Sequence, residues 1–76
     1  MNKAKLESFM KLFHDTGETL SKYLDIARST FSAKINETNG AEFTQGEIMA
    51  IKRRYNLSPQ DLIDIFFTEE VSKIDT

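Results

Sequence analysis

The segment Thr44-Gln45-Gly46-Glu47 constrains this chain more than any other stretch. A Thr three residues ahead of a Glu lets hydroxyl and carboxylate each accept from the other's backbone amide, so a helix has to begin between them. Phe43 before this capping box and Ile48 after it are spaced as a hydrophobic staple, which fixes how the chain enters the helix. The same grammar returns at Leu57-Ser58-Pro59-Gln60-Asp61-Leu62. There Ser58 caps, Pro59 suits the first helical position, and Leu57 with Leu62 repeats the staple. Two such starts predict a helix over about Gln45 to Tyr55, with Ile48, Ile51 and Tyr55 inward, and another over about Pro59 to Phe67.

Helical spacing extends towards the N-terminus. Leu6, Phe9, Met10 and Phe13 fall at i, i+3, i+4 and i+7, one stripe of a helix from about Lys3 to His14. Thr16 is the next start signal, with Glu18 well placed for the helix dipole and Leu20 and Leu24 as the apolar stripe. Asp25 tolerates the left-handed conformation better than most residues, so this short helix is expected to stop there. A further helix from about Arg28 to Asn36 buries Phe31 and Ile35, with Ser29, Ala33 and Asn36 roughly opposite. Its expected cap, Ala27, has no side-chain acceptor. The loop beyond it contains Asn39-Gly40, a dipeptide suited to positive φ.

No segment alternates apolar and polar residues long enough to read as a half-buried strand. The expectation is an all-α, five-helix domain over residues 1–67, followed by an acidic tail over residues 68–76. About a quarter of the chain is Leu, Ile, Val or Phe, above the roughly 20% below which composition reads as disordered. A chain of 76 residues makes one small core and leaves little room for a deep substrate cavity.

Chemistry-bearing constellations are missing as well. There is no cysteine, and the single His14 has no second imidazole or thiolate with which to hold a metal. The three glycines are isolated, so there is no phosphate-cradling loop. The carboxylates pair with no nucleophile or base, and neither an enzyme nor a cofactor or small-molecule substrate is expected. The longest apolar run, Ile48-Met49-Ala50-Ile51, is too short for a membrane span, and a cytoplasmic protein is the expectation.

Net charge is −2, but it is unevenly spread. Residues 1–34 carry +2, residues 35–55 balance, and residues 56–76 carry −4, so a polyanion meets the first half while the tail points away. Lys52-Arg53-Arg54 is a basic run, yet cations at a helix C-terminus follow from the dipole alone.

Five short helices, the second and third joined by a tight turn, make the arrangement of a helix-turn-helix domain. Thr16 to Asn36 resembles the helix-turn-helix of Cro/repressor-type (Xre-like, lambda-repressor-like) regulators. The matching residues are Leu20, Ser21 and Leu24, then Ile26-Ala27-Arg28-Ser29-Thr30-Phe31-Ser32-Ala33-Lys34-Ile35-Asn36. Glu42-Phe43-Thr44, Glu47-Ile48 and Tyr55-Asn56-Leu57-Ser58-Pro59 to Ile65-Phe66-Phe67 are similar to small regulators of phages and mobile elements of Gram-positive bacteria. The resemblance spans residues 5–67.

It implies a transcription regulator that binds double-stranded operator DNA as a homodimer and represses by occluding a promoter. Arg28, Ser29, Ser32 and Ala33 would face bases in the major groove, Arg28 being able to make a bidentate contact to guanine. Thr16, Lys22, Thr30, Lys34, Asn36 and Asn39 would face phosphates. Three positions depart from the pattern: Gly17 stands where the family often has Gln, Asp25 replaces the turn glycine, and Ala27 replaces a capping Ser or Thr. The last helix carries more apolar surface than one stripe needs, so Ile63, Ile65, Phe66 and Phe67 are the expected dimer or partner surface. Val71 or Ile74 folding back over it is the alternative cover. The alternative function is a helix-turn-helix used for protein contact, as an antirepressor or modulator of a larger repressor.

Overall fold

The computed structural model describes residues 1–67; the acidic tail, with Val71 and Ile74, lies outside the described residues. Five α-helices follow one another: α1 (Lys3–Leu12), α2 (Gly17–Leu24), α3 (Arg28–Ile35), α4 (Gln45–Tyr55) and α5 (Pro59–Phe66). A single 3-10 turn, Thr38–Gly40, sits between α3 and α4, and there is no strand among the described residues. The chain is all-α.

Every helix but α3 has a side-chain cap. The predicted box of Thr44 and Glu47 forms in full, with Thr44 N donating to Glu47 Oε1 at 2.9 Å and Glu47 N donating to Thr44 Oγ1 at 3.1 Å. Ser58 caps α5 as expected, with Asp61 completing a box that the sequence pattern left half written. Asn2 caps α1, and Thr16 pairs reciprocally with Thr19 at the start of α2. Ala27 leaves the first-turn amides of α3 without a side-chain acceptor.

Four helix ends turn on left-handed residues that are not glycine: His14, Asp25, Glu37 and Asn56. Asp25 has φ 61° and ψ 43°, and Asp25 N and Ile26 N donate to Lys22 O and Ser21 O. That is the Schellman arrangement, which satisfies two of the helix's last carbonyls. His14 (φ 61°) closes α1 in the same way, with His14 N and Asp15 N donating to Lys11 O and Met10 O. The stop at Leu12 falls short of the expected His14 because this turn consumes two residues. Asn56 (φ 53°) ends α4, where Leu57 N donates to Lys52 O.

The core consists of Leu6, Met10, Leu20, Phe31, Ile35, Phe43, Ile51, Tyr55, Leu57 and Ile65. α2 packs on α3 and α4, while α1 packs on α5, where Asn2 N donates to Ile65 O at 2.6 Å. Phe43 joins the two halves, tilted against Phe31 at 5.8 Å and edge-on to Phe66 at 6.2 Å. The α1 stripe is narrower than its spacing predicted. Leu6 and Met10 are buried and Phe9 half-buried, but Phe13 is 46% exposed, because it lies beyond the last turn, where it packs on the Tyr55 ring with centroids 5.0 Å apart.

Candidate functional site

α2 and α3 are joined by Asp25, Ile26 and Ala27 alone, so the left-handed Asp25 turns the chain sharply enough for the two helices to pack together. Phe31 and Ile35 anchor α3 in the core, and burial of two such side chains contributes about 1.5–3 kcal/mol each. Anchored on that side, α3 turns Arg28, Ser29, Thr30 and Ser32 to the surface, while Ala33 is half-buried. Arg28 has no acidic partner within ion-pair distance among the described residues, and its guanidinium lies over Gly17 at the first turn of α2.

The residues expected on phosphates divide into engaged and open. Thr16 spends its hydroxyl on Thr19 N, and Asn36 Nδ2 donates to Ser32 O at 2.9 Å while Asn36 Oδ1 accepts from Lys3 Nζ. Lys3, which no sequence signal marked, is thereby brought beside α3. Lys22 is exposed, with only a surface contact to Glu18 at 3.4 Å, and Asn39 is exposed at φ 54° in the 3-10 turn.

Lys34 is the clearest departure. Its ammonium donates to both Glu47 oxygens, at 2.7 and 2.9 Å, and the two side chains are only 16% and 13% exposed. Glu47 is the same carboxylate that closes the α4 capping box. Burial pushes its carboxyl up, and Lys34 with the Thr44 amide outweighs that and holds it below its ordinary value. A lysine bound to a half-buried carboxylate is not a ready phosphate ligand. In this structure the Lys34 ammonium joins α3 to α4.

The surface expected on α5 needs a correction. Ile65 is fully buried in the core and not a partner residue, because the α5 stripe facing α1 passes through it. Phe66 is half-buried against Phe43. Ile63 and Phe67 are 49% and 50% exposed and form the outward part of that helix.

A polar cluster centred on the buried Asp15 carboxylate was not legible in the sequence. Asp15, with a side chain 3% exposed, accepts from Arg54 Nε and Nη2, both at 2.7 Å, from Tyr55 Oη at 2.6 Å and from Thr19 Oγ1 at 2.8 Å. Arg54 also lies over the Tyr23 ring, 4.6 Å from its centre. The fork of hydrogen bonds from Arg54, aided by Tyr55 and Thr19, holds the Asp15 carboxyl far below the usual carboxylate range. Burial, with the Asp15 charge, pushes the Tyr55 phenol well above its ordinary value. Arg54 is thus withdrawn from the basic run at the end of α4, and its guanidinium fixes the α1–α2 junction instead.

Among the described residues no group of His, Asp and Glu is placed to hold a metal, and no helix is long and apolar enough to cross a membrane. The chain matches no protein-family model, no curated protein and no solved structure.

Proposed function

We propose that the protein is a sequence-specific double-stranded DNA-binding regulator of the helix-turn-helix type. In this reading α2 and α3 form the motif, and α3 enters the major groove of an operator. The observation that carries it is the exposed face of α3, where an arginine with no acidic partner among the described residues stands beside two serines and uncapped backbone amides. Arginine forks onto guanine and serine bonds to several bases, which is the chemistry that reads base edges. Short side chains give modest readout per site, so we infer that two copies act together, doubling the contacts across a palindrome. Bound to a promoter, such a dimer represses by occlusion, the role that the resemblance to Cro-type regulators of phages and mobile elements implies.

The test is a titration against DNA from around the protein's own gene and against a scrambled duplex, at two salt concentrations. With Lys34 held by Glu47, a dimer neutralising about four to six phosphates loses roughly 10²–10³ in affinity between about 50 and 200 mM salt. Selective binding with that slope supports the regulator. Equal binding to both duplexes, or none, defeats it.

A second reading, contact with a protein such as a larger repressor, is favoured by the pairing of Lys34, Arg54 and Lys5 with carboxylates, which thins the cationic surface. Phe67→Asp separates the two, because Phe67 is half exposed whereas Phe66 supports the core. On the protein-contact reading Phe67→Asp abolishes regulation in the cell and Arg28→Ala does not. DNA recognition by α3 reverses the importance of Arg28.

A further inference from the structure

We propose that Gly17 is a specificity-determining position, an open notch at the start of α2 that holds the Arg28 guanidinium and so fixes which base pair it reads. The inference rests on the DNA-binding reading above. A Cβ placed on Gly17 would lie 2.8 Å from Arg28 Nε, 3.2 Å from Cζ and 3.3 Å from Nη2. Carbon and nitrogen in contact keep about 3.5 Å apart, so this pose of Arg28 and any side chain at residue 17 exclude one another.

Conformational freedom does not explain the glycine. Gly40 is the glycine with positive φ, whereas Gly17 has the ordinary backbone of a helix start, which alanine adopts at least as readily. What glycine supplies at residue 17 is room. The short Asp25–Ala27 connection brings the first residue of α3 back to the first residue of α2, and the guanidinium fills the space that a Cβ would take.

The neighbourhood favours a defined pose. Arg28 borders a cleft between α1 and α3 with Lys3, Glu7, Met10, Ser32 and Asn36. An arginine already lodged there approaches a base from one direction and gives up less rotamer freedom on binding. Alanine at residue 17 evicts the guanidinium. The cost to the fold is small, because the displaced atoms are the far end of an exposed, flexible side chain.

The experiment selects bound sequences from a randomised duplex library with the full chain, Gly17→Ala, Arg28→Ala and the double variant. Nitrogen relaxation at Arg28 Nε–H in the DNA-free proteins accompanies it. The full chain should prefer a G·C pair at one position, and Arg28→Ala should lose that preference. Gly17→Ala should weaken it by roughly 2- to 10-fold, the equivalent of immobilising one long side chain, with other positions unchanged and the melting temperature not lowered. The double variant should select as Arg28→Ala does, since Gly17 acts only through Arg28. Arg28 Nε–H should be restrained in the full chain and freed in Gly17→Ala.

Unchanged preference in Gly17→Ala, additive effects in the double variant, or equal Arg28 mobility with and without the methyl group each overturn the notch. If the full chain selects no sequence, the DNA-binding reading falls and the specificity role falls with it. The relaxation data then report separately whether the notch holds the arginine.

Discussion

The Asp15 cluster and the outer face of α3 use similar chemistry to opposite ends. At Asp15 an arginine, a tyrosine and a threonine converge on one buried carboxylate, and every oxygen is satisfied. On α3 an arginine, two serines and a capless helix start face outwards, with no acid to bind the arginine among the described residues. The first arrangement stabilises the fold because the buried Asp15 charge is matched by a partly exposed Arg54. The second contributes little to folding and leaves its donors for something else. Arg54 and Arg28 thus differ in role through their surroundings alone.

The largest effect that tests this division lies in the core beside it. Ile65→Ala should cost about 2–5 kcal/mol in urea unfolding, while Ile63→Ala, two residues earlier on an exposed face, should stay within about 0.5 kcal/mol. Similar losses at the two positions would mean that α5 is not oriented as described.

Next comes the cluster itself. Arg54→Ala strands the Asp15 carboxylate and should cost about 2–4 kcal/mol, below the value for a fully buried pair because Arg54 is 30% exposed. Arg28→Ala should leave the urea midpoint nearly unchanged. Equal losses from the two substitutions would erase the contrast between scaffold and surface arginine.

The pH dependence sharpens it further. The folded Asp15 carboxyl titrates below its unfolded value of about 3.9, so its contribution is complete above that pH and is lost as pH falls through the folded value. Tyr55 is shifted upwards, so its contribution is complete below about pH 10 and disappears as pH rises through the folded value. Urea midpoints should decline below about pH 4 and above about pH 10. In Asp15→Asn the acid decline should be shallower, and an unchanged acid limb would place its origin elsewhere.

The smallest effect belongs to α3. Ala27→Ser supplies the missing cap and should stabilise the domain by about 1 kcal/mol, read as a rise in melting temperature. No gain would indicate that the α3 amides already have partners.

Local chemistry made most of the helix plan legible. The α4 start follows from Thr44 and Glu47, and α5 starts where Ser58 and Pro59 require. Ser29 and Asn36 could be assigned to the surface because Phe31 and Ile35 fix the buried side of α3 by spacing, whereas Ala33, expected there too, is half-buried, and Arg28 and Ser32 were turned outwards by the resemblance. The same logic failed at Phe13, because periodicity does not report where a helix ends and His14 gives no strong stop signal. It failed at Ile65 because a helix with apolar residues on several faces does not say which face meets the core.

The sequence by itself determined where the helices begin, which residues cap them and which stripe of each is apolar, since these depend on neighbours within a few residues. Tertiary structure decided which charges are spent. Asp15 meets Arg54 across 39 residues and Lys34 meets Glu47 across 13, and no local pattern encodes either pair. The proximity of Gly17 to Arg28 is of the same kind. Ion pairs and steric notches form between elements that packing brings together, so their partners are fixed only when the hydrophobic faces have chosen one arrangement.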